Sequence, residues 1–180
     1  MRKVVLTYGI IAGVIIAILM MVSMSLMDCG SGSDFSGSYI IGYSTMIVSL
    51  SMIFFGIRSY RQNYSNGTIT FGKAFLIGLY ITLIASAFYV IGWLIYSSIA
   101  MPDFADKYMA HEIAGMKKEG LSDSLIAIKS KEMADWKQLY DNNLFFKIGM
   151  TFAEIFPVGL VVSLICAAIL RKKPKVVAAK

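Results

Sequence analysis

Four stretches of this chain are almost wholly apolar, and the polar residues are gathered between them. The runs cover residues 4–27, 38–57, 74–100 and 144–170. Each is close to the roughly 20 residues a helix needs to cross a bilayer, so they read as four transmembrane helices. Residues 101–143 follow a different pattern. There Ala105, Met109, Ile113 and Met116 recur at helical spacing, Gly120 interrupts them, and Ser122 is a candidate N-cap. A second amphipathic stretch then carries Leu125, Ile126, Met133, Trp136 and Tyr140. The expected fold class is an all-α integral membrane protein, one membrane domain over 1–180. It has four transmembrane helices and an extracytoplasmic amphipathic helical hairpin between the third and fourth.

Local signals refine the pattern. The first run has 24 residues, whereas a signal peptide has an apolar core of about 7–15 and a small-residue cleavage site; a retained helix is expected. Gly9, Gly13 and Ala17 lie four apart and offer one face to which another helix can come close. A Gly- and Ser-rich turn follows at Asp28–Gly37. The second run is rich in hydroxyls (Ser38, Tyr39, Tyr43, Ser44, Thr45, Ser49, Ser51), which suits a helix that faces other helices and not lipid alone. Asn66-Gly67 marks a tight turn within the connection Arg58–Lys73. Trp93 and Tyr96 stand towards the far end of the third run, as an interfacial belt would, and Pro102 stops it.

Composition and charge add an orientation. The chain is 57% hydrophobic and 16% charged, against about 45–50% and 25% in soluble domains. A net charge of +6 raises the question of nucleic acid, but the distribution answers it. Arg2, Lys3, Arg58, Arg61, Lys73, Arg171, Lys172, Lys173, Lys175 and Lys180 all fall on one side of a four-pass chain, with no acid among them. The opposite side holds Asp28 and Asp34, with six lysines and eight acids between 101 and 143. Loops rich in Lys and Arg stay in the cytoplasm, so both termini are expected there. The cationic face, with Arg58, Arg61 and Lys73 at its centre, would favour anionic lipid headgroups. Cys29 and Cys166 lie near opposite membrane faces on this topology, too far apart to bridge. An acid, Asp28, directly before Cys29 argues against lipidation.

Glu154 is the one acid within the four apolar runs. It lies ten residues into the fourth, about 15 Å along the axis, close to mid-bilayer. An ionised carboxylate there costs on the order of 2.5–3.5 kcal/mol. Lys147 is seven residues away, about 10 Å of rise, and too far to pair. Pro157 cannot donate to the carbonyl of Ala153, which leaves an acceptor beside the acid. Thr82, Ser86 and Tyr89 form a polar stripe on the third run, with Tyr89 at nearly the depth of Glu154. Glu154 is therefore expected to be neutral at pH 7 and hydrogen-bonded to Tyr89 or Ser86. Glu154, Pro157, Tyr89 and Ser86 make the candidate polar core. Its readings are a structural tether, a proton or ion relay, and a subunit contact.

Other chemistry is sparse. His111 is the single histidine, short of the three or four ligands a zinc site needs. No phosphate-binding glycine loop, nucleophile elbow or HExxH occurs, so no cofactor, metal or catalytic residue is assigned. Phe55-Gly-Ile-Arg58-Ser-Tyr-Arg61 and Asn66-Gly-Thr-Ile-Thr-Phe-Gly-Lys-Ala-Phe75 resemble a motif of the bacterial membrane family known as domain of unknown function 4199. Pro102-Asp-Phe and Glu154-Ile-Phe-Pro157-Val-Gly are similar to its later blocks. That resemblance implies a four-helix bacterial inner-membrane protein and carries over no activity or site residue. A non-enzymatic accessory or scaffold protein is the favoured function, with a membrane-protein partner or a homo-oligomer. The alternatives are a small oligomeric transporter or proton pathway using Glu154, and an intramembrane enzyme.

Overall fold

A computed structural model describes residues 1–28 and 35–172, with side chains described for 1–25 and 40–172. Cys29 and Asp34 of the expected Gly/Ser turn lie outside these residues, as do Lys173, Lys175 and Lys180. Within them the helices are α1 (Arg2–Asp28), α2 (Phe35–Leu50), α3 (Met52–Tyr64), α4 (Phe71–Ile99), α5 (Phe104–Lys118), α6 (Asp123–Asn142) and α7 (Leu144–Leu170). Four segments are long and apolar enough to cross a membrane: Arg2–Ser25, Ile40–Tyr64, Phe71–Ile99 and Leu144–Leu170. The chain divides into two compact units. One comprises Met1–Gly92 with the chain from Phe152 onward, the other Trp93–Thr151.

In the first unit, small residues set the helix spacing. A Cβ on Gly9 would stand 2.9 Å from Ile84, and one on Gly13 2.6 Å from Phe88. Gly92 faces Ala17 at 3.4 Å. The small-residue face of α1 therefore lies along α4 in parallel and in constant register. Water gives no apolar driving force inside lipid, so close approach of this kind is what holds such helices together. Ala12, Ile16, Ile53, Ile57, Ile77, Ile81, Ala85 and Ile155 complete the enclosed layer.

Two features of the second span go beyond the sequence pattern. Its hydroxyls mostly serve their own helix: Thr45 Oγ1 donates to the Gly42 carbonyl, Ser49 Oγ to that of Thr45 and Ser51 Oγ to that of Val48. Serine and threonine can satisfy themselves on a carbonyl three or four residues back, so richness in hydroxyls did not require a polar neighbour. Ser49 alone of these is fully buried. The helix also runs past Ile57 to Tyr64, placing Arg58 and Arg61 on α3 instead of in the connection. Tyr60 and Tyr64 stack one turn apart there, with ring centroids 5.7 Å apart. The turn itself is Ser65–Thr68. Asn66 (φ 46°) and Gly67 (φ 76°) are both left-handed, and the Thr68 N–H donates to the Ser65 carbonyl at 2.9 Å. Positive φ at both central positions is what an Asn-Gly pair tolerates best.

The second unit is built on aromatic rings. Helix α4 ends at Ile99, just ahead of Pro102. Helix α5 closes on Gly120 (φ 75°): the Gly120 N–H reaches the Lys117 carbonyl and the Leu121 N–H that of Met116, a Schellman ending. Ser122 stands at the start of α6, but its hydroxyl pairs with Ser124 and caps no backbone N–H. The side-chain cap occurs at α7, where Asn143 Oδ1 accepts from Phe146 N–H at 3.1 Å. Helices α5 and α6 pair antiparallel through Phe104 with Tyr140, Tyr108 with Trp136, and Asp106 with Lys137 (3.0 Å). Asp106 beside the half-buried Lys137 holds its ammonium above the usual lysine range. Trp93 is enclosed against Phe104 (4.7 Å) and donates from Nε1 to Tyr140 Oη at 2.6 Å. Lys147 lies over the Tyr140 ring, 4.6 Å from its centroid.

Tyr140→Phe keeps the ring and removes the acceptor from a buried indole N–H. An unmade buried hydrogen bond costs about 1–3 kcal/mol. Thermal unfolding in detergent, followed by tryptophan fluorescence, should show an earlier transition for this variant than for wild type.

Candidate functional site

Helices α4 and α7 carry the polar residues of the first unit. On α4, Thr82 and Ser86 are fully buried and Tyr89 nearly so. On α7 the enclosed positions are Thr151, Ile155, Gly159, Ser163, Cys166, Ala167 and Leu170, a face that repeats every three or four residues. Two polar contacts join the helices. Thr82 Oγ1 and Ser163 Oγ are 3.1 Å apart, and Ser163 Oγ also donates to the Gly159 carbonyl at 2.7 Å. Higher on α4, Tyr89 Oη donates to Glu154 Oε2 at 3.2 Å. Ser86, between them, has no hydrogen-bond partner for its buried Oγ.

Glu154 itself lies on the exposed side of α7, with Ala153, Pro157 and Val161. It reaches back to Tyr89 from the rim of the bundle and is not among the enclosed residues. Pro157 sits inside the unbroken helix α7. Of the four residues expected to form a polar core, the structure joins Tyr89 to Glu154 and places Ser86 one turn away on α4.

Ser163, Gly78 and Gly159 were not anticipated. A Cβ on Gly78 would come within 2.9 Å of Ser163 Cβ, and one on Gly159 would overlap Thr82. Gly78 and Thr82 lie four apart on one helix, Gly159 and Ser163 four apart on the other. Matching small-x-x-x-small spacings were the available signal.

The basic residues divide into different roles. Arg58 and Lys73 are exposed, with Lys73 Nζ 5.5 Å from the Tyr60 ring centroid. Arg61 Nη1 donates to the Leu170 carbonyl at 3.0 Å. Ile69 and Lys172 exchange backbone hydrogen bonds of 3.0 and 2.9 Å beside it. The negative C-terminal end of α7 is thus fastened by a cation, where the helix dipole favours one. Arg61→Ala should lower the melting temperature of the detergent-solubilised protein. The half-buried, charge-assisted bond suggests a loss near 1.5 kcal/mol. Arg61→Lys should recover only part of it, since lysine lacks the planar fork.

Residues 7–172 match the family described as Protein of unknown function (DUF4199). No curated protein and no solved structure matches the chain.

Proposed function

We propose, for a chain that belongs to the DUF4199 family, a role as a multi-pass bacterial inner-membrane accessory protein that holds a second membrane helix against Glu154. In this reading it is not an enzyme. Both termini lie in the cytoplasm, residues 101–143 lie on the far side, and the exposed Arg58 and Lys73 face the anionic inner leaflet. The four apolar helices support the membrane setting, and the asymmetry of Lys and Arg supports the orientation.

One observation carries the proposal: Glu154 is on the outward side of α7 with Tyr89 as its hydrogen-bonding neighbour. An ionised carboxylate at mid-bilayer costs roughly 2.5–3.5 kcal/mol, which favours the neutral acid with its own O–H donor. A hydrogen bond between membrane helices returns about 0.6 kcal/mol on average and at most about 1.7. The Tyr89 hydroxyl donates to Oε2 and so leaves the O–H of a neutral carboxyl to be taken up by a polar group on another helix. The test is photocrosslinking in cells from Val161, which is exposed two turns along the same side of α7. A discrete crosslinked product is expected, lost when Glu154 is also replaced by leucine. A control position on α2, Ile47, should give none. No product from Val161, or one indifferent to Glu154, would reject the contact.

The fully buried, unpartnered Ser86 Oγ between Thr82 and Tyr89 favours a second reading, a proton pathway within an oligomer. Proton flux in proteoliposomes that disappears in Glu154→Gln would select it over the accessory role.

A further inference from the structure

A groove of about 450 Å³ opens between α1 and α4, lined by Arg2, Val5, Leu6, Tyr80, Leu83 and Ile84. Its volume is in the range of about 300–1,000 Å³ that ligand sites occupy. Its inner limit is set by the contact of Gly9 with Ile84, where the two helices close on each other. Its outer side is open, since Leu6, Tyr80 and Leu83 are all more than a third exposed. The register fixed by Gly9 with Ile84 and Gly13 with Phe88, carried back along α1, puts Arg2 level with Ile77. That is between one and two turns inside the first residue of α4, Phe71.

The groove therefore has apolar walls within a membrane-spanning segment and a cation at one end, near the depth where apolar residues give way to basic ones. We infer that this groove binds one anionic phospholipid of the cytoplasmic leaflet, an acyl chain lying between α1 and α4 and its phosphate against Arg2. Charge complementarity selects this occupant. A second protein helix would fill the walls but leave the arginine at lipid depth without an anion, whereas a zwitterionic lipid would offer it only a compensated phosphate. Val5, Leu6 and Leu83 suit a hydrocarbon chain. The inference rests on the membrane setting but not on the Glu154 contact, since the groove involves neither α7 nor the polar residues of α4.

The experiment is native mass spectrometry of the full chain released from nanodiscs of mixed phosphatidylglycerol and phosphatidylcholine. One phosphatidylglycerol should remain bound in preference to phosphatidylcholine. Arg2→Gln should reduce that preference about fivefold, the worth of one interfacial cation near an anionic surface. Leu83→Trp and Leu6→Trp, which fill the groove from opposite walls, should each abolish retention. Lys129→Gln, which removes one exposed cation from α6, outside the groove, should leave it unchanged. Equal retention of the two lipids, insensitivity to Arg2→Gln, or retention in both tryptophan variants would overturn the inference. So would a Lys129→Gln effect as large as that of Arg2→Gln, because the lipid would then be held by net charge alone. A wild-type chain that resists carbonate extraction yet retains no lipid would remove this inference and leave the membrane setting standing.

Discussion

Gly159→Leu is expected to disrupt the first unit, whereas Gly149→Leu on the same helix should be nearly silent. Around Gly149 a Cβ meets nothing within 4 Å, while at Gly159 it would overlap Thr82. Thr82 cannot retreat freely, because its Oγ1 is held by Ser163 and its side chain is fully buried. Overpacking of an enclosed site costs about 1–3 kcal/mol, occasionally more. Replacing a helix-interior glycine returns up to about 1 kcal/mol of propensity, so the clash wins. Gly149 is exposed, and substitutions at such positions stay within about 0.5 kcal/mol. Circular-dichroism melts in detergent should separate the two variants by several degrees. Equal melting temperatures would mean that α4 and α7 do not approach at Gly159.

Glu154→Leu should act in opposite directions on two measurements. If the acid serves a neighbour, removing it lowers assembly and relieves the chain of a group that hydrocarbon disfavours. Loss of one membrane hydrogen bond, about 0.6–1.7 kcal/mol, corresponds to roughly a 3- to 20-fold fall in the association constant. Insertion of α7 should improve, because leucine at a helix centre is favourable where an acid costs about 2.5–3.5 kcal/mol. Förster transfer between labelled copies in vesicles, or with a labelled partner once crosslinking has captured one, reads the first. A glycosylation-mapping insertion assay on α7 reads the second. Tyr89→Phe separates the roles: it removes the bond within the chain and should weaken association less than Glu154→Leu. Were Glu154 only a tether to Tyr89, the two variants would destabilise the monomer alike and leave association untouched.

The long-range plan of the helices was legible because four long apolar runs stand apart from the polar segments between them. Any segment that spans hydrocarbon must satisfy its own backbone, so twenty apolar residues in a row leave little choice of structure. Pro102, Gly120 and Asn66-Gly67 were legible for a similar reason, since each dictates its own backbone geometry. Tyr89 and Glu154 were paired by counting residues from the helix ends. The outward placement of Glu154 was harder to read. On α7, polar and small residues occur on both the enclosed face (Thr151, Gly159, Ser163) and the exposed one (Ala153, Glu154, Pro157), so hydrophobic periodicity does not say which side turns inward. The helix is apolar nearly all round, and its rotation is fixed by Gly78 and Gly159, whose lack of a side chain is the signal. Arg61 was read as part of a charged face because sequence reports its charge but not the Leu170 carbonyl it meets.

Sidedness tests the account most directly, because the cost assigned to Glu154 and the lipid assigned to Arg2 both depend on a chain that crosses four times. A fluorescent reporter fused after Lys180 and a phosphatase inserted at Gly120 should each be active in cells, with the chain remaining in membranes after carbonate washing. Phosphatase activity after Lys180 with a silent Gly120 fusion, or release of the chain into the carbonate supernatant, would contradict it.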